Sequence, residues 1–194
     1  MKTSPKIAVI IIEDDEIAFD SIKSVISDAY PNDKQQYNAN DTFEDFRKIL
    51  REALSTKHSD PAGLEKSKKL LFEKLKSYCG RNEDPVYLID FLLDGETYDN
   101  SINGIHFHRL IQNELYKDKK VPSFFITAAE GTALYRVQDY CENEVKDKLI
   151  CHFRPKPDTW DDVSFKKSIV DFIEKARPEQ KDEPKKLEDL FEYE

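Results

Sequence analysis

Four places in this chain set a charged or hydroxyl side chain just past an apolar run. Glu13-Asp14-Asp15 follows Ile7–Ile12 (IAVIII), Asp90 follows Val86–Ile89 (VYLI), and Thr127 follows Ser123–Ile126 (SFFI). Lys156 comes after Leu149–Phe153 (LICHF) and the pair Arg154-Pro155. If these runs are neighbouring strands, several carboxylates converge beside a hydroxyl and an ammonium. Like charges that close destabilise one another unless a cation neutralises them. Hard oxygen ligands at an open surface suit Mg2+, which keeps several waters and bridges carboxylates to phosphate. One carboxylate of such a group can also act as a nucleophile toward phosphorus, giving an aspartyl phosphate. Taken singly, each residue has an ordinary role: an Asp after a strand caps a helix or turn, Thr-Ala is commonplace, and a lone Lys is a solvated surface residue. The set carries the chemistry.

The elements needed to position that set are visible as a change of period. The apolar runs are continuous rather than alternating, as in parallel strands covered on both faces. A weaker strand candidate lies near Gln36–Ala39. Between the runs the apolar residues recur at helical spacing. Ile17, Ile22, Val25, Ile26 and Ala29 form one stripe; Phe43, Phe46, Ile49, Leu50, Ala53 and Leu54, capped by Asp41-Thr42, form a second. Ile105, Leu110, Ile111 and Leu115 follow Asn103-Gly104; Ala133, Leu134, Val137 and Tyr140 follow Thr127. The last stripe is Val163, Phe165, Ile169, Val170, Phe172 and Ile173, stopping at Arg177-Pro178. Alternating strands and helices predict an α/β fold with a doubly wound parallel sheet. Residues 55–84, Lys-rich with Leu64, Leu71, Leu75 and Tyr78 on one stripe, read as a helical insertion between the second helix and third strand. The organisation expected is a domain over 1–178 containing that insertion, and a charged tail over 179–194.

Composition narrows the function classes. The 194 residues carry 30 Lys+Arg against 39 Asp+Glu, a net charge of −9, which argues against a generic nucleic-acid or anionic-membrane binder. No apolar run is long enough to span a membrane, and the N-terminus runs into acids rather than a cleavage site. Cys79, Cys141 and Cys151 are odd in number and outside metal spacing, so they read as half-buried thiols in a reducing, cytoplasmic setting. His58, His106, His108 and His152 lack partners at ligand spacing, and Trp160 reads as packing.

The ordered set IIIEDDE, VYLIDFLLDG with NGI following, FFITAA and FRPKP resembles the receiver domain of response regulators, the phosphoacceptor module of two-component signalling. The resemblance covers roughly Lys6–Ala176, interrupted by 55–84. It implies a flavodoxin-like sheet of five strands, with Asp90 as the phosphoacceptor. The acid pair would hold Mg2+, read as Glu13/Asp14 in preference to Asp14/Asp15, with Asp90 and the Leu92 carbonyl as further ligands. Thr127 and Lys156 would bind phosphoryl oxygens, Ala128 would leave room for the group, and Phe153 would occupy the aromatic switch position. The loop after Asp90 departs from the pattern: it lacks the usual Met-Pro and is longer and more acidic, with Asp94, Glu96 and Asp99.

The expected function is a stand-alone receiver, not an enzyme beyond its own phosphorylation and dephosphorylation. Its partners would be a sensor histidine kinase or phosphotransfer protein and a downstream protein, with a homodimer left open. The alternative is a pseudo-receiver that keeps the fold without phosphorylation. A phosphatase of the haloacid-dehalogenase type ranks lower, because neither Asp14-Asp15 nor Asp90-Phe-Leu-Leu-Asp94 has the required DxDG spacing.

Overall fold

This computed structural model describes residues 8–31, 85–93, 103–117, 119–128, 130–147 and 150–176, and single positions at 62, 66, 69, 70, 73 and 76. Four parallel strands, β1 (Ala8–Ile12), β2 (Pro85–Asp90), β3 (Ser123–Thr127) and β4 (His152–Pro155), lie side by side in sequence order. Helix α1 is Glu16–Ala29, α2 is Gly104–Leu110, α3 is Gly131–Asp139 and α4 is Val163–Ala176.

Both faces of the sheet are apolar, which explains the unbroken hydrophobic runs. Val9, Ile11, Val86, Leu88, Phe124 and Ile126 point to α1 and α4, where they meet Phe19, Ile22, Ile26, Phe165, Ile169 and Phe172. The intervening residues Ile10, Ile12, Tyr87, Ile89 and Phe125 point the other way, to Phe107, Ile111, Ala133 and Val137 of the α2 and α3 side. Successive strand side chains alternate between faces, so a strand covered twice needs an apolar residue at every position. All six residues of β2 are buried accordingly.

The helices on the α2 and α3 side each end in a wider turn. Ile111–Leu115 and Tyr140–Val145 are π-helical, with Tyr116 and Lys146 N–H groups donating to the carbonyls of Ile111 and Cys141, each at 3.0 Å. Lys146 then leaves the helix with φ 61°, in the left-handed region.

Four expectations need correction. The fourth apolar run pairs as a strand only from His152, three residues later than Leu149, because the Ile150 and Cys151 N–H groups turn back to the Asp147 carbonyl. Ile17 is 71% exposed, and Phe19 takes its place on the buried face of α1. At 100° per residue, Phe19 shares a stripe with Ile22 and Ile26, and Ile17 does not. Val163 is likewise 77% exposed at the start of α4. Finally, Cys141 and Cys151 are joined in a disulfide, with Cα atoms 5.1 Å apart, so they are not free thiols and give no argument for a reducing compartment.

The fifth strand near 36–39, the second helix, the acids at 94, 96 and 99, and the tail lie outside the described residues. Within 55–84, the six described positions are helical and exposed. Among the described residues, no helix is long and apolar enough to cross a membrane.

Candidate functional site

Strand register brings the charged residues to one edge. Ile12 pairs with Ile89, Asp90 with Ile126, and Thr127 with Pro155, so the carboxyl ends of all four strands finish nearly level. Open parallel sheets build their sites at this edge, because chain leaving each strand must turn there. Glu13, Asp90, Thr127 and Lys156 are therefore neighbours despite their distance along the chain. The Lys156 N–H extends the last ladder by donating to the Thr127 carbonyl at 2.7 Å, which fixes where its side chain starts.

Lys156 reaches back over the edge and bridges two buried carboxylates. Its ammonium donates to Asp90 Oδ2 at 3.0 Å and to Glu13 Oε1 at 3.1 Å. The other Asp90 oxygen accepts from the Leu92 N–H at 3.2 Å, so Leu92 closes the turn after β2 against the site. Glu13 Oε1 also accepts the Asp15 N–H at 3.2 Å. Its second oxygen, Oε2, lies 3.1 Å from the same ammonium, but no donor is directed at it, although the residue is only 1% exposed.

The three neighbouring acids of the first strand end do not all face the same way. Glu13, Asp14 and Asp90 place carboxylate oxygens within 4.8 Å of one another. Asp15 faces away and caps α1, its Oδ1 accepting the Ala18 N–H at 2.8 Å. An aspartate there satisfies a helix-end donor and favours the positive end of the helix dipole.

Crowding perturbs the site. Burial, with the nearby Asp90 charge, pushes the Glu13 carboxyl up to about 8, although Lys156 pulls it back down. The same two causes push Asp14 up to about 6. Burial acts against the Lys156 ammonium, but the Asp90 and Glu13 carboxylates outweigh it and hold it above its ordinary value. Three carboxyl groups crowd one ammonium, and the undirected Glu13 Oε2 is an acceptor with no donor. Both features fit a hard divalent cation held by oxygen ligands.

The remaining predicted residues sit around this cluster. Thr127 is fully buried at the end of β3, one position beyond the residue that pairs with Asp90. Ala128 follows it and is exposed. Phe153 pairs with Phe125 across the sheet and packs, half-buried, on the α2 and α3 side.

Gly104 has a role that its motif alone did not reveal. Its N–H donates to the Phe91 carbonyl at 3.1 Å, and a Cβ in its place would overlap the Asp90 backbone carbonyl. Only glycine lets the start of α2 approach the turn that carries Asp90 so closely. The Asn-Gly pair was visible in the sequence as a helix opener, but its packing against Asp90 was not. No family model, curated protein or solved structure matches this chain.

Proposed function

We propose that this protein is a receiver that accepts a phosphoryl group on Asp90 and signals through the change that follows. The observation that carries this reading is the Lys156 ammonium shared between Asp90 and Glu13, with Asp14 completing the carboxylate group. A phosphohistidine, in a sensor kinase or a phosphotransfer protein, is the donor. A carboxylate oxygen of Asp90 attacks phosphorus; the new P–O bond forms as the P–N bond breaks, and the imidazole leaves. Mg2+ held by Glu13, Asp14 and Asp90, with the Leu92 carbonyl as the resemblance suggests, would neutralise charge on the phosphoryl oxygens. Lys156 transfers its hydrogen bond from the Asp90 carboxylate to a phosphoryl oxygen, and the Thr127 hydroxyl takes another. Ala128 contributes its small size at the mouth of the site. Phe153, which packs beside Phe125 on the α2 and α3 side, would follow movement of Thr127 and carry the signal to a downstream protein. Cytoplasmic residence belongs to this reading, because phosphohistidine donors are charged from ATP.

One observation favours the second reading, a pseudo-receiver. Lys156 already bonds both Asp90 and Glu13, so an ion-pair network alone can hold the edge of the sheet together. The two readings separate on one experiment. The protein is incubated with acetyl phosphate with and without Mg2+, and its intact mass is measured. The receiver reading expects a Mg2+-dependent phosphoryl adduct that Asp90→Asn abolishes while the fold is retained. Labelling that survives in Asp90→Asn refutes the assignment, and a folded wild type that takes no adduct favours the pseudo-receiver.

A further inference from the structure

A second polar cavity, of about 480 Å3, opens beside the C-terminal end of α2 and its π-turn, against the chain leading into β3 and the π-turn after α3. It faces the amino ends of the strands, since its walls include residues that immediately precede β3 and β4. The acidic cluster is at the other end of the sheet.

The cavity has a rigid polar floor. His108 is buried, with Nε2 3.1 Å from the Ile150 carbonyl and Nδ1 2.7 Å from the Tyr140 hydroxyl. The Ile150 carbonyl can only accept, so Nε2 carries the proton and Tyr140 donates to Nδ1. Burial keeps this histidine neutral, its pKa lowered to about 4. Gln112 is fixed as well, its amide oxygen accepting the Val121 N–H at 3.2 Å and its nitrogen donating to the Val121 carbonyl.

The rim is basic. Arg109, Lys117, Lys119 and Lys120 all line the cavity, and among the described residues no carboxylate does. In a chain with a net charge of −9, that separation of sign is uneven. Two acids stand just outside: Glu144 pairs with Arg109 at 2.7 Å and Asp147 with Lys120 at 3.6 Å. Both pairs are solvent-exposed, and such pairs contribute little and re-form readily. Arg109 also lies over the Tyr140 ring, 5.2 Å from its centre, which links the rim to the floor.

We propose that this cavity binds a small polyanion of the phosphate-ester or polyphosphate class. Its volume falls in the range of small-molecule sites. Lysine ammoniums suit phosphate as point charges, and the arginine fork adds a directed pair of donors. The fixed Gln112 amide gives the ligand orientation, while the Tyr140 proton is already committed to His108.

The test is a pyrophosphate titration of the full chain at low salt with EDTA present, followed by calorimetry. Saturable binding is expected, weakened at least tenfold in Lys117→Glu/Lys120→Glu, weakened less in Lys117→Gln/Lys120→Gln, and unchanged in Asp90→Asn. These lysines are exposed, so the variants keep the fold, which circular dichroism checks. Absence of saturation at millimolar pyrophosphate overturns the proposal. So does equal affinity in the charge-reversed variant, or loss of binding in Asp90→Asn.

Discussion

Replacing Lys156 with methionine removes the only ammonium that the described residues direct at the carboxylate cluster, while keeping most of the side-chain volume. The ammonium is 3.0 Å from Asp90 Oδ2 and 3.1 Å from Glu13 Oε1. At an effective dielectric constant of about 20, each contact is worth roughly 5 kcal/mol before desolvation is subtracted. Desolvation consumes much of that, and removing one partner of a buried pair costs about 3–5 kcal/mol because a buried charge is left uncompensated. The loss depends on pH in a calculable direction. Without Lys156, its charge and its hydrogen bond no longer lower Glu13, and only the Asp15 N–H still does, so Glu13 holds its proton to a pH still higher than about 8. Above that pH the folded variant binds more protons than the folded wild type, so the gap in stability widens as pH rises and narrows as it falls. Urea denaturation in EDTA at about pH 6 and about pH 9 should therefore show a larger deficit at the higher pH. Added Mg2+ should stabilise the variant more than the wild type, since the cation supplies the charge that the side chain no longer does. A deficit below about 1 kcal/mol, or one equal at both pH values, would show that Lys156 is a solvated surface residue and refute the reasoning.

Other consequences are equally concrete. Burial lowers His108 from 6.5 to about 4, so the unfolded chain binds a proton there that the folded chain does not. Stability at this residue is complete above pH 6.5 and falls as pH drops toward 4, by about 3 kcal/mol in all. His108→Gln should lack this component in stability curves run across that range; parallel curves for the two proteins would show that the ring is not buried neutral. Reducing the Cys141–Cys151 disulfide, which closes a loop with a sequence separation of 10, should cost about 2.5–3 kcal/mol by chain entropy, read as a lower Tm with a phosphine reductant. An unchanged Tm would mean that the loop is held by its packing alone. Gly104→Ala should destabilise the fold by a few kcal/mol and weaken Mg2+ binding, because its methyl group displaces the turn that carries Asp90. Full stability with full Mg2+ affinity in that variant would remove Gly104 from the site.

The parts of this structure that could be read from sequence are those that follow from parallel topology. In such a sheet every strand ends at the same edge, so residues that close apolar runs meet in space whatever their separation. Glu13 and Lys156 are 143 residues apart, and Asp90 and Lys156 66, yet both contacts follow from that one rule. Continuous runs on β1, β2 and β3 marked burial on two faces, and that reading needed only the period of the side chains. The grouping of Glu13 with Asp14 goes with Asp15 standing immediately before α1 and capping it.

What resisted reading depends on loop geometry rather than on period. The start of β4 moved by three residues because the Asp147 carbonyl captures the N–H groups of Ile150 and Cys151, a turn that no apolar count reveals. That same turn brings Cys151 beside Cys141, which stands at the start of the π-helical end after α3. His108 is a further case: its spacing from the other histidines carries no sign that it is the buried partner of Tyr140, a residue on another helix end. Side chains at the carboxyl edge are placed by strand register, which sequence encodes strongly. Those at the amino edge are placed by helix endings, which it encodes only through the local competition between backbone hydrogen bonds. The second cavity belongs to that amino edge, and this is why its basic rim emerges only from the folded chain.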